Sequence, residues 1–338
     1  MKRVTVRDVA GAAGVSPSAV VLALNGKPGL GPDTRERILR TAEQMGYVRG
    51  GRGRGNGGRS RNVHYVLPRY LLDVDRASEP IYHDLLMSAV EKHCRKSGYF
   101  MVVHYLGDQP GEREAIIANI KSAEDNPMVI VQAADIEDET ALRWKTEIRR
   151  VVFLNKHFEE IPVDSVASDG KAALYSATEY LLQCGYTEIG HLKGRTYFKN
   201  LEDRQEGYLR CLERNRIQSA GTWLVHTSYE QAYRDVWNYL QQGVRFPRAV
   251  VCDGDRQAMG AIRAFREYGI RVPDDVAVMG FDDLPMSAHH EPPLSTCSVS
   301  WDEMARLAVR RVLEKTGEEG EYPLKICVGA ILRKRNTT

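Results

Sequence analysis

Arg52 and Arg54 stand in an R-G-R triplet, with Arg59 and Arg61 close behind, in a stretch where six of the nine residues from 50 to 58 are glycine. Extended R-G-R segments lay guanidinium groups into a narrow, A·T-rich minor groove, where the negative potential is strongest. The proline that completes the related AT-hook is missing. A flexible tether of the same composition is the alternative, spanning roughly 20 Å at about 5–6 Å × √n. Elsewhere, residues that could do chemistry are scattered. The six cysteines, at 94, 184, 211, 252, 297 and 327, form no C-x-x-C pair. The nine histidines show no metal spacing, and His289-His290 is an adjacent pair in an expected loop. No G-x-S-x-G, P-loop or dinucleotide fingerprint occurs in a strand-turn-helix context. The sequence therefore predicts no enzyme, no cofactor, no metal and no disulfide framework.

Charge divides the chain. Residues 1–61 hold twelve Lys/Arg and four Asp/Glu, against a net charge of only +2 for all 338 residues, so the remainder is acidic. A basic end on an acidic body is the footprint of a polyanion binder. Length allows two or three folding units. No apolar run is long enough for a membrane span. The opening M-K-R-V-T-V-R-D-V-A lacks the apolar stretch of a secretory signal, which points to the cytoplasm.

The elements that must position these charges begin with three short helices in residues 1–48. Thr5 caps the first, with Asp8 in capping-box position, and Val6, Val9, Ala10 and Ala13 share one face. Gly14 breaks the chain. Ser16 caps a second helix with Pro17 at its first position, and Asn25-Gly26 ends it. Gly31-Pro32 opens a third helix, with Ile38, Leu39, Ala42 and Met45 as its stripe and Gly46 as its stop. Two helices around a short glycine-containing turn make a helix-turn-helix.

From Asn62 onward β-rich runs alternate with amphipathic helical runs. Strands are expected at 63–67, 100–105, 129–132, 151–154, 189–192, 223–225, 249–252 and 276–281. Helices are expected at 83–97, 112–123, 171–184, 203–216, 229–242, 257–268 and 301–315. Such alternation specifies doubly wound parallel sheets, and the length suits two α/β lobes.

The chain as a whole resembles the lactose-repressor (LacI/GalR) family. The likeness rests on V-T-V-R-D-V-A-G-A-A-G-V-S at 4–16, T-R-E-R-I at 34–38 and E-P-I-Y at 79–82. It continues with S-D-G at 168–170, C-G-Y-T-E-I-G-H at 184–191 and R-Q-E-G-Y at 204–208. V-P-D-D-V-A-V-M-G-F-D-D at 272–283 and P-P-L-S-T at 292–296 are its most specific pieces. The resemblance implies a helix-turn-helix DNA-binding domain (1–48), a Gly/Arg-rich linker (49–61) and a periplasmic-binding-protein-like core (62–335). Its amino-terminal lobe would be about 62–161 and 294–322, and its carboxy-terminal lobe about 163–291 and 323–335. Crossings between lobes would fall near Pro162, Glu291–Pro293 and Tyr322–Pro323. The implied function is a transcriptional regulator, a repressor by family habit. It would bind double-stranded operator DNA as a homodimer and respond to a small effector, a sugar or sugar derivative, between the lobes. A DNA-architectural protein with a vestigial cleft is the alternative.

By the same resemblance Pro17, Ser18 and Leu22 are the base-reading positions of the second helix. Leu22 stands where other members often place an arginine, so it can only touch a thymine methyl or fill space. Thr5, Ser16, Asn25 and Thr34 are expected at phosphates, or simply as caps. The linker departs from the family's hinge helix, since each glycine opposes helix by about 1 kcal/mol. For the effector, the resemblance points to Tyr82, Asp169, Arg204, Tyr229, Asp282 and Trp301. Arg204 and Asp282 would clamp vicinal hydroxyls, and Tyr229 and Trp301 would stack on a ring. Where the family often has Asn or Thr ahead of an Asp, this chain has Gly254 before Asp255, with Asp253 a candidate replacement.

Overall fold

The structure, a computed structural model, describes residues 5–24, 30–45, 61–68, 81–107, 109, 111–318 and 320–338. Asn25, Gly46, Arg52, Arg54 and nearly all of the 49–61 arm lie outside the described residues. The chain divides into two compact units, Met1–Arg59 and Ser60–Thr338.

The first unit has helices α1 (Val6–Ala13), α2 (Pro17–Leu24) and α3 (Pro32–Gln44). Thr5 and Asp8 form a complete capping box at α1, and Gly14 ends that helix at φ +67°, a left-handed conformation that suits glycine. Ser16 Oγ accepts from the Ala19 N–H at 3.2 Å, so α2 begins where the Ser-Pro pair predicts. Arg35 donates to the Ala23 carbonyl at 3.4 Å, satisfying an orphan acceptor at the end of α2. Val9, Ala10, Ala13, Val20, Ala23, Ile38 and Ala42 make a small core. Leu39 is not in it. It is 43% exposed, one position round the helix from the buried Ile38.

The second unit contains two sheets, each six-stranded among the described residues. Strands β1 (Asn62–Pro68), β2 (Phe100–Leu106), β3 (Met128–Gln132), β4 (Arg150–Leu154), β5 (Ser165–Ser168) and β11 (Lys325–Val328) form the first, in the order β11-β5-β4-β3-β1-β2. Strands β6 (Ile189–Gly194), β7 (Thr222–Val225), β8 (Ala249–Cys252), β9 (Ala277–Asp282), β10 (Ser295–Ser298) and β12 (Ile331–Arg333) form the second, in the order β12-β10-β9-β8-β6-β7. All pairings are parallel except β10 with β12. Helices α4 (Ile81–Lys96), α5 (Glu112–Ala123), α6 (Asp138–Glu147) and α11 (Trp301–Glu314) belong to the first lobe. Helices α7 (Gly170–Gln183), α8 (Lys199–Arg214), α9 (Tyr229–Gln241) and α10 (Asp255–Glu267) belong to the second. Helices α7 and α8 pack so closely that a Cβ on Gly207 would lie 2.0 Å from the Lys171 carbonyl oxygen, so glycine is required there.

The sheets correct the expected lobe boundaries. β5 still belongs to the first sheet, β10 to the second and β11 to the first. The chain therefore crosses at 168–170, 298–301 and 328–331, each several residues beyond the prolines expected to mark it. A proline ends a strand or bends a loop, but the crossing comes where an edge strand has finished pairing. The carboxy-terminal lobe also runs past 335. Buried Thr337 accepts from the Val278 N–H at 2.8 Å and donates its hydroxyl to the Val278 carbonyl at 2.7 Å.

Asp164 fastens the returning chain to the first lobe. Its carboxylate, 2% exposed, takes the Arg311 Nε at 2.6 Å, the Leu324 N–H at 3.0 Å and the Lys315 ammonium. Burial alone would raise its pKa. The Lys315, Leu324 and Arg311 hydrogen bonds together outweigh that and hold it below the ordinary aspartate value. Asp164→Ala leaves the buried Lys315 ammonium without its carboxylate and Arg311 with Glu321 alone, and is expected to cost about 3–5 kcal/mol in chemical denaturation at neutral pH. A lowered folded pKa means this stability is fully present above the ordinary aspartate range and is lost as pH falls through the lowered value. The difference between wild type and variant should therefore shrink on acidification, and a constant difference contradicts the assignment.

Candidate functional site

Parallel strands bring their carboxyl ends to one edge of each sheet, and the connections there form crevices suited to ligands. In the second lobe the ends of β6, β8 and β9 place Gly194, Asp253 and Asp282 side by side. Asp253 is 1% exposed. Its Oδ1 lies 2.8 Å from His191 Nε2, and its Oδ2 accepts from the Gly194 N–H at 2.8 Å. Its carboxylate is thus spent inside the lobe and does not reach in as a replacement anchor. Its carbonyl accepts from Arg204 Nη1.

Arg204 comes from α8. Its guanidinium carbon stands 3.7 Å from the Phe281 ring centroid, a cation–π contact that fixes the plane of the fork. Gly170 permits this, since a Cβ there would lie 3.1 Å from Arg204 Cγ. Nη2 is 3.9 Å from Asp282 Oδ1, too far for a hydrogen bond, and Nε is buried without a protein partner. Asp282 ends β9 at φ +111°, a strained conformation for a residue with a side chain. Burial pushes its carboxyl up to about 6, against the opposing pull of Arg204 and Arg256. Its neighbour Asp255 is pushed up to about 7 by burial and by Asp282. Asp255 accepts from the Leu284 N–H at 2.8 Å, from Ser287 Oγ at 2.6 Å and from Thr296 Oγ1. It holds the loop after β9 rather than the cleft.

The first lobe faces this set with His83 and Gln132. Tyr65 donates to Gln132 Oε1 at 3.0 Å, and Gln132 donates to His83 Nδ1. Burial drives His83 down to about 3, assisted by the Arg256 charge, so it is neutral at physiological pH. Further out, Asn200 of α8 donates to the Asn155 carbonyl at 2.8 Å, and Lys199 meets Glu159 at 3.1 Å. A groove of ≈ 410 Å³ opens here between the lobes, with Ile136, Lys156 and Glu160 on one wall and Tyr197 and Phe198 on the other.

Of the residues singled out by sequence, the structure brings Arg204 and Asp282 together. Asp169 caps α7 by accepting from the Ala172 N–H at 2.9 Å, at the first crossing. Tyr229 packs against the second lobe's core with its ring centroid 6.0 Å from the Arg263 guanidinium, on the α9–α10 seam. Trp301 packs against the large core and lines a different groove of ≈ 520 Å³ with Leu85, Lys92 and Arg333. Only the backbone of Tyr82, in α4, is described. His83, Gln132, Arg256 and Gln257 were not singled out. The R-Q at 256–257 follows directly on Asp255 at the start of a helix, and that was the signal available.

In the amino-terminal unit Pro17 and Ser18 are exposed and Leu22 is half-buried, with Val21 beside them at 44% exposure. These four share the outward side of α2. Thr5 and Ser16 are engaged as caps, and Thr34 is half-buried in the first turn of α3.

Asp282 gives a stability prediction. A folded pKa raised to about 6 from 3.8 favours the protonated form. The ionised carboxylate therefore costs stability that grows as pH climbs through that window, at most about 3 kcal/mol. Asp282→Asn is expected to raise Tm at pH 7.5 more than at pH 4.5. A Tm lowered equally at both would show that the carboxylate is stabilising instead.

Comparison with known proteins completes the description. The family of bacterial regulatory proteins named for lacI matches residues 5–50, and a periplasmic binding protein-like domain matches residues 178–338. The ribose operon repressor of Haemophilus influenzae is 26% identical over 94% of this chain and 93% of its own length. The repressor PurR of the same organism is 27% identical over 94% and 92%. Among solved structures, the lac repressor dimer bound to operator and the anti-inducer ONPF superposes with a TM-score of 0.72 at 23% identity, covering 99% of both chains. The regulator CelR in complex with cellobiose gives 0.71 at 22%, covering 99% of this chain and 100% of that one. The chain thus joins an amino-terminal domain of the lacI family of bacterial regulatory proteins to a periplasmic binding protein-like core of two parallel-sheet lobes.

Proposed function

We propose that the protein is a transcriptional repressor that grips operator DNA as a homodimer and answers to a small molecule held between its lobes. The observation that carries the reading is the outward side of α2. Pro17, Ser18, Val21 and Leu22 serve little or no core duty on a helix held by the Ser16 cap, in the basic end of the chain. Relatives named as the ribose operon repressor and the transcriptional repressor PurR, and a lac repressor dimer solved on operator, support it.

Ser18 is the side chain of that set able to exchange hydrogen bonds with a base edge, while Val21 and Leu22 suit thymine methyls. Thr5, Ser16, Asn25 and Thr34 lie against phosphates, Thr5 and Ser16 doing so from the N-termini that they cap. Arg52 and Arg54 enter the minor groove. In the core, Arg204 and Asp282 anchor the effector, a sugar or sugar derivative. Ligand hydroxyls donate best to ionised Asp282, so effector affinity should rise as pH climbs through about 6.

A mobility-shift titration with the protein's own promoter tests the reading. A discrete complex that survives excess random DNA is expected, and binding indifferent to sequence would replace the regulator by an architectural protein. Arg52→Ala with Arg54→Ala should weaken binding most at A·T-rich sites and reduce the slope of log K against log salt by about 2. An unchanged slope removes the arm from the interface.

A further inference from the structure

We infer that the cleft receives a primary amino group of its ligand, in a niche that Gly254 leaves open between Gln257 and Asp282. The inference rests on the reading of the core as a small-molecule sensor and specifies what it senses.

Gln257 lies in the first turn of α10 and is 1% exposed. Its Nε2 donates to the Val225 carbonyl at 3.4 Å, which fixes the amide's orientation. The other end, Oε1, is buried and has no partner in the protein. A buried acceptor left without a donor is costly, and such atoms in native structures call for an explanation. The geometry supplies one. A Cβ built on Gly254 would stand 3.6 Å from Asp282 Oδ2 and 3.9 Å from Gln257 Oε1, with no other side chain within 4 Å beyond its chain neighbours Asp253 and Asp255. A ligand group seated over the bare Gly254 Cα, at van der Waals distance from it, approaches both acceptors from the side that a Cβ would cover.

The two acceptors decide the chemistry. A hydroxyl carries one hydrogen and can satisfy one of them. An amino group carries two or three and satisfies both. Charge points the same way. Asp282 feels Arg204 and Arg256 on one side and Asp253 on the other, and it in turn raises Asp255, while His83 is held neutral, so no uncompensated cation of the lobe opposes an amino group there. Asp253 and Asp255 are committed to His191, Gly194, Leu284, Ser287 and Thr296. Asp282 is the carboxylate left to receive a donor. Beside it, the Arg204 Nε–H is buried and also lacks a protein acceptor, so it suits a ring or hydroxyl oxygen of the same ligand. An amino sugar and a nucleobase with an exocyclic amine both fit this donor pattern.

Matched pairs tested on the full chain distinguish these sources. Glucosamine against glucose, galactosamine against galactose, and adenine against purine differ chiefly at the amino group. Calorimetric titration of wild type should show the aminated member of at least one pair binding about tenfold or more tightly. Gln257→Met keeps the volume and removes the acceptor, and should reduce that preference to about twofold or less. Gly254→Ala fills the niche and should weaken the aminated member alone. Thermal melts without ligand establish that both variants fold. If the parent compounds bind as tightly as the aminated ones, or Gln257→Met leaves the preference intact, the amino niche is wrong and the sensor reading stands. If no member of any pair binds, the niche falls together with the sugar-type or nucleobase-type sensor.

Discussion

Everything in the core depends on the chain passing between the two sheets at three places, 168–170, 298–301 and 328–331. Three short strands of backbone cannot hold two lobes rigidly, yet they keep the carboxyl edges of both sheets facing one another. That constraint makes the crevice the meeting place of residues far apart in sequence. Arg204 arrives on a helix, Asp253 and Asp282 at the ends of adjacent strands, and His83 and Gln132 from the opposite lobe. The crossings are also where charge is tied down. Asp169 caps α7 at the first, and Asp164 anchors the return path through Arg311 and Leu324.

Within the crevice, burial and pairing are unevenly matched, and the mismatch is informative. Asp164 and Asp253 are buried carboxylates with full sets of donors, and they act as fasteners. Asp282 is largely buried, backbone-strained and without a donor close enough to bond. Arg204 is held by Phe281 and a carbonyl yet keeps Nε idle. Buried polar atoms left incomplete around one carboxylate mark where a ligand's own hydrogen bonds are worth most.

Much of this was legible in the sequence. The capping box at Thr5–Asp8, the Ser16-Pro17 start and the Gly14 break each follow from local backbone chemistry, and all three form. Core strands such as the one at 129–132 announce themselves by continuous β-branched runs, here V-I-V. What escaped is instructive. The strands S-V-A-S, S-T-C-S, K-I-C-V and I-L-R carry little or no apolar periodicity, because they lie near the crossings and pair at the β5–β11 and β10–β12 margins of the sheets. Helix α6 was hidden by its polar first turn. Leu39 reads as core by composition, but Ile38 already occupies the inward position. Among candidate site residues, the family resemblance points to Arg204 and Asp282, which the structure brings within 3.9 Å of each other. Gln257 was not legible, since only the three-dimensional neighbourhood reveals that its oxygen lacks a donor. The crossings were misplaced because proline was used as their marker, while hydrogen-bond pairing decides where a strand ends.

The central claim is that the core works as a hinge whose two lobes draw together on a ligand. Electron–electron spin distances across the groove test it most directly, with labels on Glu160→Cys and Tyr197→Cys, both exposed and on opposite walls. The exposed Cys184 and Cys327 are replaced by serine to keep labelling specific. With a compound that raises Tm, a broad distribution should collapse to one shorter distance. A distribution identical with and without that compound would contradict the account.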